Sequence, residues 1–327
     1  MGDTILKTTH VSSPLANVFA ISRGAKTHAE TVRVSLQRGD VIGRGECVPY
    51  PRYGETPAGV IDTINTFWAE HGGNIDRDAL QILMPAGAAR CAIDCALWDM
   101  EAKETGKPVW QLADLPEPKP IETAVTVSLA APEEMAKAAQ TITGKLLKLK
   151  LGGPEDIARI EAVHTARPDA RLIVDANEGL SPDTFPALAS QAAELGVILI
   201  EQPFPADKDD ALLKRPAGIA ICADESAHTS ADIPHLAKRY DAVNVKLDKT
   251  GGLTEAIKMV KAAQAYNMQI MVGCMVAGSL SMAPAVLLSG LANVADVDGP
   301  LWLANDIAHG LHFDAGMAHP PSPALWG

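Results

Sequence analysis

The sequence predicts an α/β protein in which an α+β unit precedes a closed barrel of parallel strands, and three observations lead there. At 327 residues the chain has room for a (β/α)8 barrel of about 250 residues and a smaller second unit. After the proline-rich stretch Pro116–Pro120 ("PEPKP"), short apolar strands alternate with alanine-rich amphipathic stretches of helical length, the signature of βαβ units and a parallel sheet. Eight such strands can be read: "TAVTVS", "LLKLK", "LIVDA", "VILIEQ", "IAICADE", "AVNVKL", "QIMVGC" and "VADVDG". That count favours a closed barrel over a doubly wound open sheet, the runner-up.

The elements follow in order. The stretch "TVRVSLQRGDVIGRGECV" alternates apolar and polar residues on either side of Arg38-Gly39-Asp40, which predicts a hairpin. Helical periodicity follows near residues 58–70 and 86–104. The run of prolines then interrupts regular structure and marks a boundary.

Composition narrows the function. Hydrophobic residues at 47% and charged residues at 21% are ordinary for a soluble globular enzyme. A net charge of −12 gives neither nucleic acid nor an anionic membrane a basic patch to bind, so neither partner is expected. No segment approaches 18 uninterrupted apolar residues, and no basic region leads into an apolar core at the N-terminus, so the cytoplasm is the expected compartment. Homo-oligomerisation is compatible with this composition. The five cysteines are scattered, as reduced thiols are. Cys91 and Cys95 share a helix face as a zinc pair would, but without further ligands at suitable spacing they are read as buried packing.

The chemistry begins with two lysines in an apolar strand, Lys148 and Lys150 of "LLKLKLGG". In a barrel strand alternate residues face the interior, so Leu147, Leu149 and Leu151 pack outward and both lysines point inward. Other apolar runs also end in charge: Asp175, Glu201, Asp224, Lys246, and the pair Asp296 and Asp298. Barrel enzymes build active sites at the C-terminal strand ends. Three carboxylates on adjacent strands, without histidine or cysteine nearby, make an all-oxygen site for a hard cation, Mg²⁺ above others. A closed ion-pair network is the structural alternative, and a poor route to stability. Crowding Lys148 against Lys150 beside a dication is expected to lower the pKa of one of them, as a lysine base requires. Lys246, four strands further on, faces them across the barrel. A carbon held between the amines can lose a proton on one face and regain it on the other, which is racemisation or epimerisation.

The order K-x-K, D-x-N, E-Q-P, D-E-S, N-x-K, D-x-D resembles the enolase superfamily, specifically its muconate lactonising enzyme subgroup. The resemblance implies a modified (β/α)7β barrel of TIM type under an N-terminal α+β capping domain. It divides the chain into a cap over 1–118, a barrel over 119–300 and a segment over 301–327 that returns to the cap. It further implies Mg²⁺ held by Asp175, Glu201 and Asp224 and stabilising an enediolate. Lys150 and Lys246 become the acid/base pair, Lys148 a helper at the substrate carboxylate, and Asn177 and Asn244 inward-facing supports. Asp296-Val297-Asp298 is similar to the motif with which dipeptide epimerases bind a free α-ammonium group. "ISRGAKTHAE" resembles a cap loop of L-Ala-D/L-Glu epimerases, assigning Arg23, with Lys26 as helper, to an acidic substrate side chain; Arg52 of "GECVPYPRYGE" is a lesser candidate. The expected activity is Mg²⁺-dependent epimerisation of the C-terminal residue of a small dipeptide such as L-Ala-L-Glu, which the family associates with reuse of murein peptides.

One departure is that the seventh strand ends in Gly273 and Cys274, without the histidine of branches that use a His/Asp base. Rival readings are muconate cycloisomerisation or o-succinylbenzoate synthesis on the same scaffold, a Schiff-base aldolase using Lys246, and a non-catalytic binding barrel. The pairs Gly152-Gly153 and Gly251-Gly252 lack phosphate-loop spacing and are read as turns. His228 is read as a loop residue.

Overall fold

The computed structural model describes residues 4–327. Three antiparallel strands open the chain: β1 (Ile5–Ile21), β2 (Gly24–Arg38) and β3 (Val41–Cys47). The expected hairpin joins β2 to β3 with Arg38 opposite Val41, and Gly39 takes φ +58 in the turn. Helices α1 (Pro57–His71), α2 (Arg77–Leu83) and α3 (Ala88–Thr105) follow; α1 and α3 are the two the periodicity predicts. Helix α3 lies directly on β3 because Gly43 and Gly45 carry no side chain. A Cβ on Gly43 would strike the Ala96 carbonyl, and one on Gly45 that of Ala92.

After the short β4 (Ile121–Glu122), eight parallel strands run β5 (Val125–Val127), β6 (Leu146–Lys150), β7 (Arg171–Asp175), β8 (Val197–Glu201), β9 (Ala220–Ala223), β10 (Ala242–Val245), β11 (Gln269–Gly273) and β12 (Val294–Asp296). Each pairs with its sequence neighbour. The ring closes where Thr123 bridges Ala295 in parallel and Ala124 N–H donates to the Ala295 carbonyl at 2.8 Å. Closure rules out the open doubly wound sheet.

Inside the barrel a small apolar cluster is formed by Ala124, Leu146, Ile173, Leu199, Cys222, Ala242, Met271 and Val294, one from each strand or its leading residue. The opposite strand faces, Leu147, Leu149, Val174, Ile200 and Val243 among them, join the main core beneath the outer helices. This is the in–out alternation expected for Leu147, Leu149 and Leu151.

The end of the chain returns to α3. Trp326 Nε1 donates to the Cys95 carbonyl at 3.0 Å and Gly327 N–H to Asp99 Oδ1 at 2.8 Å. Before that, β13 (Phe313–Asp314) and β14 (Met317–Ala318) form a hairpin that pairs with β4. The cap is also tied to the barrel by α3, where Arg90 Nη2 donates to the Thr250 carbonyl at 2.6 Å and Trp98 Nε1 to Thr254 Oγ1 at 2.9 Å. Cys91 and Cys95 are buried on this helix with free thiols, as packing residues. No described helix is long and apolar enough to cross a membrane.

Candidate active site

The charged residues stand one layer above the apolar cluster. Lys148 follows Leu146 by two residues on β6, Asp175 follows Ile173, Glu201 follows Leu199, Asp224 follows Cys222 and Asp296 follows Val294. Because the side-chain period of a strand is two, each points inward as its apolar predecessor does. All five are buried.

Their ammonium and carboxylate groups interleave. Lys150 Nζ donates to Asp175 Oδ2 at 2.6 Å, and Lys246 Nζ to Asp224 Oδ2 at 2.7 Å. Lys150 and Lys246 end strands β6 and leave β10, which stand four strands apart in a ring of eight. They are therefore diametrically opposed. Glu201 lies between, on β8, with Asn244 Nδ2 donating to its Oε1 at 2.7 Å.

Lys148 sits lower than the sequence suggests. Its ammonium contacts Glu201 Oε2 at 2.6 Å, Asp296 Oδ2 at 2.7 Å and Asp175 Oδ2 at 3.3 Å, at 1% exposure. It ties three carboxylates together and does not line the cavity. Among the protein's own groups, the surrounding carboxylates govern Lys148. Burial acts to lower Lys148, but Asp296, Glu201 and Asp175 outweigh it and hold its pKa well above the ordinary value. Lys246 is raised likewise, burial being outweighed by Asp224 and Glu201.

The carboxylates divide in the opposite sense. Burial opposes ionisation of Asp175, yet Lys150 and Lys148 hold it below the usual range; Lys246 and Lys249 do the same for Asp224. Glu201 is pushed up to about 7 by burial and by Asp175. Its Oε2, although close to Lys148, accepts no hydrogen bond. A buried anion that its neighbours undercompensate, flanked by two more carboxylates, fits a hard dication with oxygen preference.

The cavity above has a volume of about 430 Å³ and is lined from both domains. Lys150, Asp224, Lys246 and Cys274 form its barrel side; Phe19, Tyr50 and Tyr53 close it from the cap. The "loop" carrying Arg23 and Lys26 is in fact the tip of the long β1–β2 hairpin, with Ile21 opposite Gly24 and Phe19 opposite Lys26. Leu129 N–H donates to the Ala20 carbonyl at 3.1 Å, anchoring this tip over the mouth.

Arg23, Lys26 and Arg52 all line the cavity. Arg23 contacts Glu225 Oε1 at 2.8 Å and Glu178 Oε2 at 3.3 Å, while Arg52 pairs with Glu178 at 2.7 Å. Lys26 lies 5.0 Å over the Tyr50 ring, with no ion pair among the described residues. Asn177, at φ +44, donates its backbone N–H to Asp175 Oδ1 at 2.9 Å.

Asp296 and Asp298 do not line the cavity. Asp296 Oδ2 is taken by Lys148, and its Oδ1 is buried without a partner. Asp298 Oδ2 accepts from Thr126 N–H at 2.7 Å and Trp302 Nε1 at 3.3 Å. Burial, and then Asp296, push Asp298 up to about 6.

Three residues went unassigned in the sequence. Glu225 receives Arg23 and Asn177 Nδ2, and Lys249 Nζ reaches both Asp224 Oδ1 and the Asp224 carbonyl. Gln202 Oε1 accepts from the Asp224 and Ser226 amides at 2.8 and 3.2 Å, fixing the loop after β9. Glu225 and Gln202 lie inside the D-E-S and E-Q-P motifs, where burial by the neighbouring strand was the available signal.

Opposed lysines and adjacent carboxylates at the C-terminal strand ends, roofed by a second domain, define a barrel enzyme with an enclosed ionic active site. Residues 4–113 match the mandelate racemase / muconate lactonizing enzyme N-terminal domain, and residues 117–324 the enolase C-terminal domain-like family. The chain is 42% identical over 309 residues to the L-Ala-D/L-Glu epimerase of Escherichia coli (strain K12), covering 94% of this chain and 96% of that protein. It is 39% identical over 291 residues to an N-acetyl-D-glutamate racemase of a Pseudoalteromonas species, covering 88% and 92%. A solved enolase family member from Agrobacterium tumefaciens, described as homologous to dipeptide epimerases and containing sodium and L-Ala-L-Glu, superposes with a TM-score of 0.96. It is 47% identical and covers 99% of this chain and 100% of its own. The chain belongs to the enolase superfamily, in its mandelate racemase / muconate lactonizing enzyme group, and is an isomerase of the racemase and epimerase kind.

Proposed function

We propose that the protein is a Mg²⁺-dependent dipeptide epimerase that inverts the C-terminal residue of L-Ala-L-Glu or a close analogue, in the metabolism of murein peptides. The observation that carries this reading is the placement of Lys150 and Lys246 on opposite strands of the ring, both open to one cavity. Asp175, Glu201 and Asp224 would hold the ion, which when bound supplies Lewis-acid polarisation of the substrate carboxylate.

The protein's own groups do the rest. One amine takes the α-proton from its face and the other returns a proton to the opposite face; in the reverse direction their roles exchange. The Asp224 contact holds Lys246 charged and aimed inward, ready to donate. Phe19, Tyr50 and Tyr53 exclude water from above, which strengthens electrostatic stabilisation of an enolate. Arg23 and Lys26 receive the acidic side chain, Lys26 having the ammonium that no carboxylate among the described residues engages. Arg52, paired with Glu178, shapes the rim. Lys148 keeps Asp175, Glu201 and Asp296 in register, and Asn177 and Asn244 brace Asp175 and Glu201.

A second reading, racemisation of an N-acylated glutamate, is favoured by one observation. The D-x-D carboxylates meant for an α-ammonium group are engaged with Lys148, Thr126 and Trp302. Incubating the enzyme and Mg²⁺ in D₂O with L-Ala-L-Glu and, separately, N-acetyl-L-glutamate decides between them. Deuterium is expected at the glutamate α-position of the dipeptide; incorporation into the acylated amino acid alone would favour the second reading.

A further inference from the structure

Far from the barrel mouth, the β13–β14 hairpin carries His312, Asp314 and His319 on one face. His312 immediately precedes β13 and Asp314 ends it, so the two, two apart in extended chain, project together. His319 stands directly opposite His312, its N–H donating to the His312 carbonyl at 3.0 Å. The other face is pinned, because Phe313 and Ala318 pack into the core. The turn is pinned too: Ala315 and Gly316 take φ +44 and +81, and a Cβ on Gly316 would meet the Gly144 backbone. Register and turn together leave the three side chains no other side to occupy.

Their polar atoms converge. Asp314 Oδ2 lies 3.3 Å from His312 Nε2 and Asp314 Oδ1 3.2 Å from His319 Nε2, and ligand atoms of all three lie within 4.8 Å of one another. Two ligands bound to a tetrahedral zinc at about 2.0–2.2 Å are separated by about 3.3–3.6 Å; the two Asp314–histidine spacings approach this, each through a different carboxylate oxygen, and the remaining separations stay within 4.8 Å. His319 Nε2 is itself shielded from water and faces only Asp314 Oδ1, although its side chain is 31% exposed; the His312 and Asp314 side chains are 67% and 56% exposed, leaving one side open to water.

We propose that His312, Asp314 and His319 form a binding site for a transition-metal dication, Zn²⁺ foremost, separate from the barrel mouth. Two imidazoles and one carboxylate select zinc, cobalt, nickel or copper over Mg²⁺, so the donor chemistry of the two sites differs. The location assigns the ion a structural task. β14 pairs with β4, and Thr123 N–H donates to the Gly316 carbonyl at 2.9 Å beside the bridge that closes the barrel. An ion there braces the hairpin whose pairing with β4 joins the C-terminal segment to the end of the barrel opposite the lysines, and stabilises the folded state by mass action.

The test uses the untagged, full-length protein in excess Mg²⁺, titrated with Zn²⁺ against a chromophoric chelator and followed in parallel by thermal unfolding. One equivalent of Zn²⁺ is expected to bind and raise Tm. H312A and H319A are each expected to weaken binding tenfold or more and to abolish the Tm rise, with epimerase activity unchanged. Asp175→Asn is expected to leave zinc binding intact. Absence of a zinc equivalent in the presence of Mg²⁺, or equally tight binding by the H312A/H319A double variant, would overturn the proposal.

Discussion

Two consecutive layers of the same barrel interior have opposite chemistry. The lower layer, Leu146, Ile173, Leu199, Cys222 and Val294, is apolar; the upper, only two residues further along each strand, is Lys148, Asp175, Glu201, Asp224 and Asp296. The step is about 6.6 Å of strand. Both layers are buried, yet the lower has no polar side-chain group to satisfy beyond the Cys222 thiol, while the upper leaves Glu201 Oε2, Asn244 Oδ1 and Asp296 Oδ1 without hydrogen bonds. Desolvating so many charges opposes folding, and the apolar layer, the outer core and the cap must offset it. The lesson is that the floor is built for stability and the mouth for function, on one set of strands.

Exchanging the two roles by mutation is the way to break this comparison. The largest effect is expected from Lys150→Ala and Lys246→Ala, each lowering epimerase turnover per folded molecule by about 10²–10⁴-fold, as steady-state kinetics will show. Lys148→Met is next: in chelator it leaves Glu201, Asp175 and Asp296 facing one another, and urea unfolding should show a loss of about 3–5 kcal/mol. Leu199→Ala in the floor should lower stability by about 2–5 kcal/mol through a cavity, while turnover per folded molecule stays near wild type. A Leu199→Ala enzyme that unfolded normally but failed to turn over would erase the distinction between the layers.

The smallest effect sharpens it. Asp298 is pushed up to about 6 by burial and by Asp296, so the folded protein keeps this proton at a pH where the unfolded chain has released it. The stability it contributes is therefore full below about pH 4 and is lost as pH rises through about 6. In chelator, Asp298→Asn should flatten that decline in Tm relative to wild type; an unchanged slope would remove Asp298 as its source.

Much of the fold was legible because barrel strands follow a simple period. Apolar runs alternating with helical stretches located all eight strands, six of them ending in charge, and alternation alone turned Lys148 and Lys150 inward. What escaped was set by chain direction beyond the strand ends. β12 stops at Asp296, and Asp298 enters the turn before Gly299–Trp302, where it captures the Thr126 amide instead of continuing into the cavity. Lys249 carries no assignment from the sequence, and the short helix Leu247–Thr250 folds it back onto Asp224. Arg23 was legible as a cap residue, whereas its partners Glu178 and Glu225 come from barrel loops more than 150 positions away in the sequence. No local pattern encodes such pairings.

The central claim is that two amines serve opposite faces of one carbon, and single-lysine exchange tests it most directly. Lys150→Ala and Lys246→Ala are incubated with Mg²⁺ in D₂O, each with L-Ala-L-Glu and with L-Ala-D-Glu, and the glutamate α-hydrogen is followed by proton NMR. Each variant is expected to wash out the hydrogen of one diastereomer only, the two variants having reversed preferences. Exchange of both diastereomers by either variant, or the same preference in both, would contradict it.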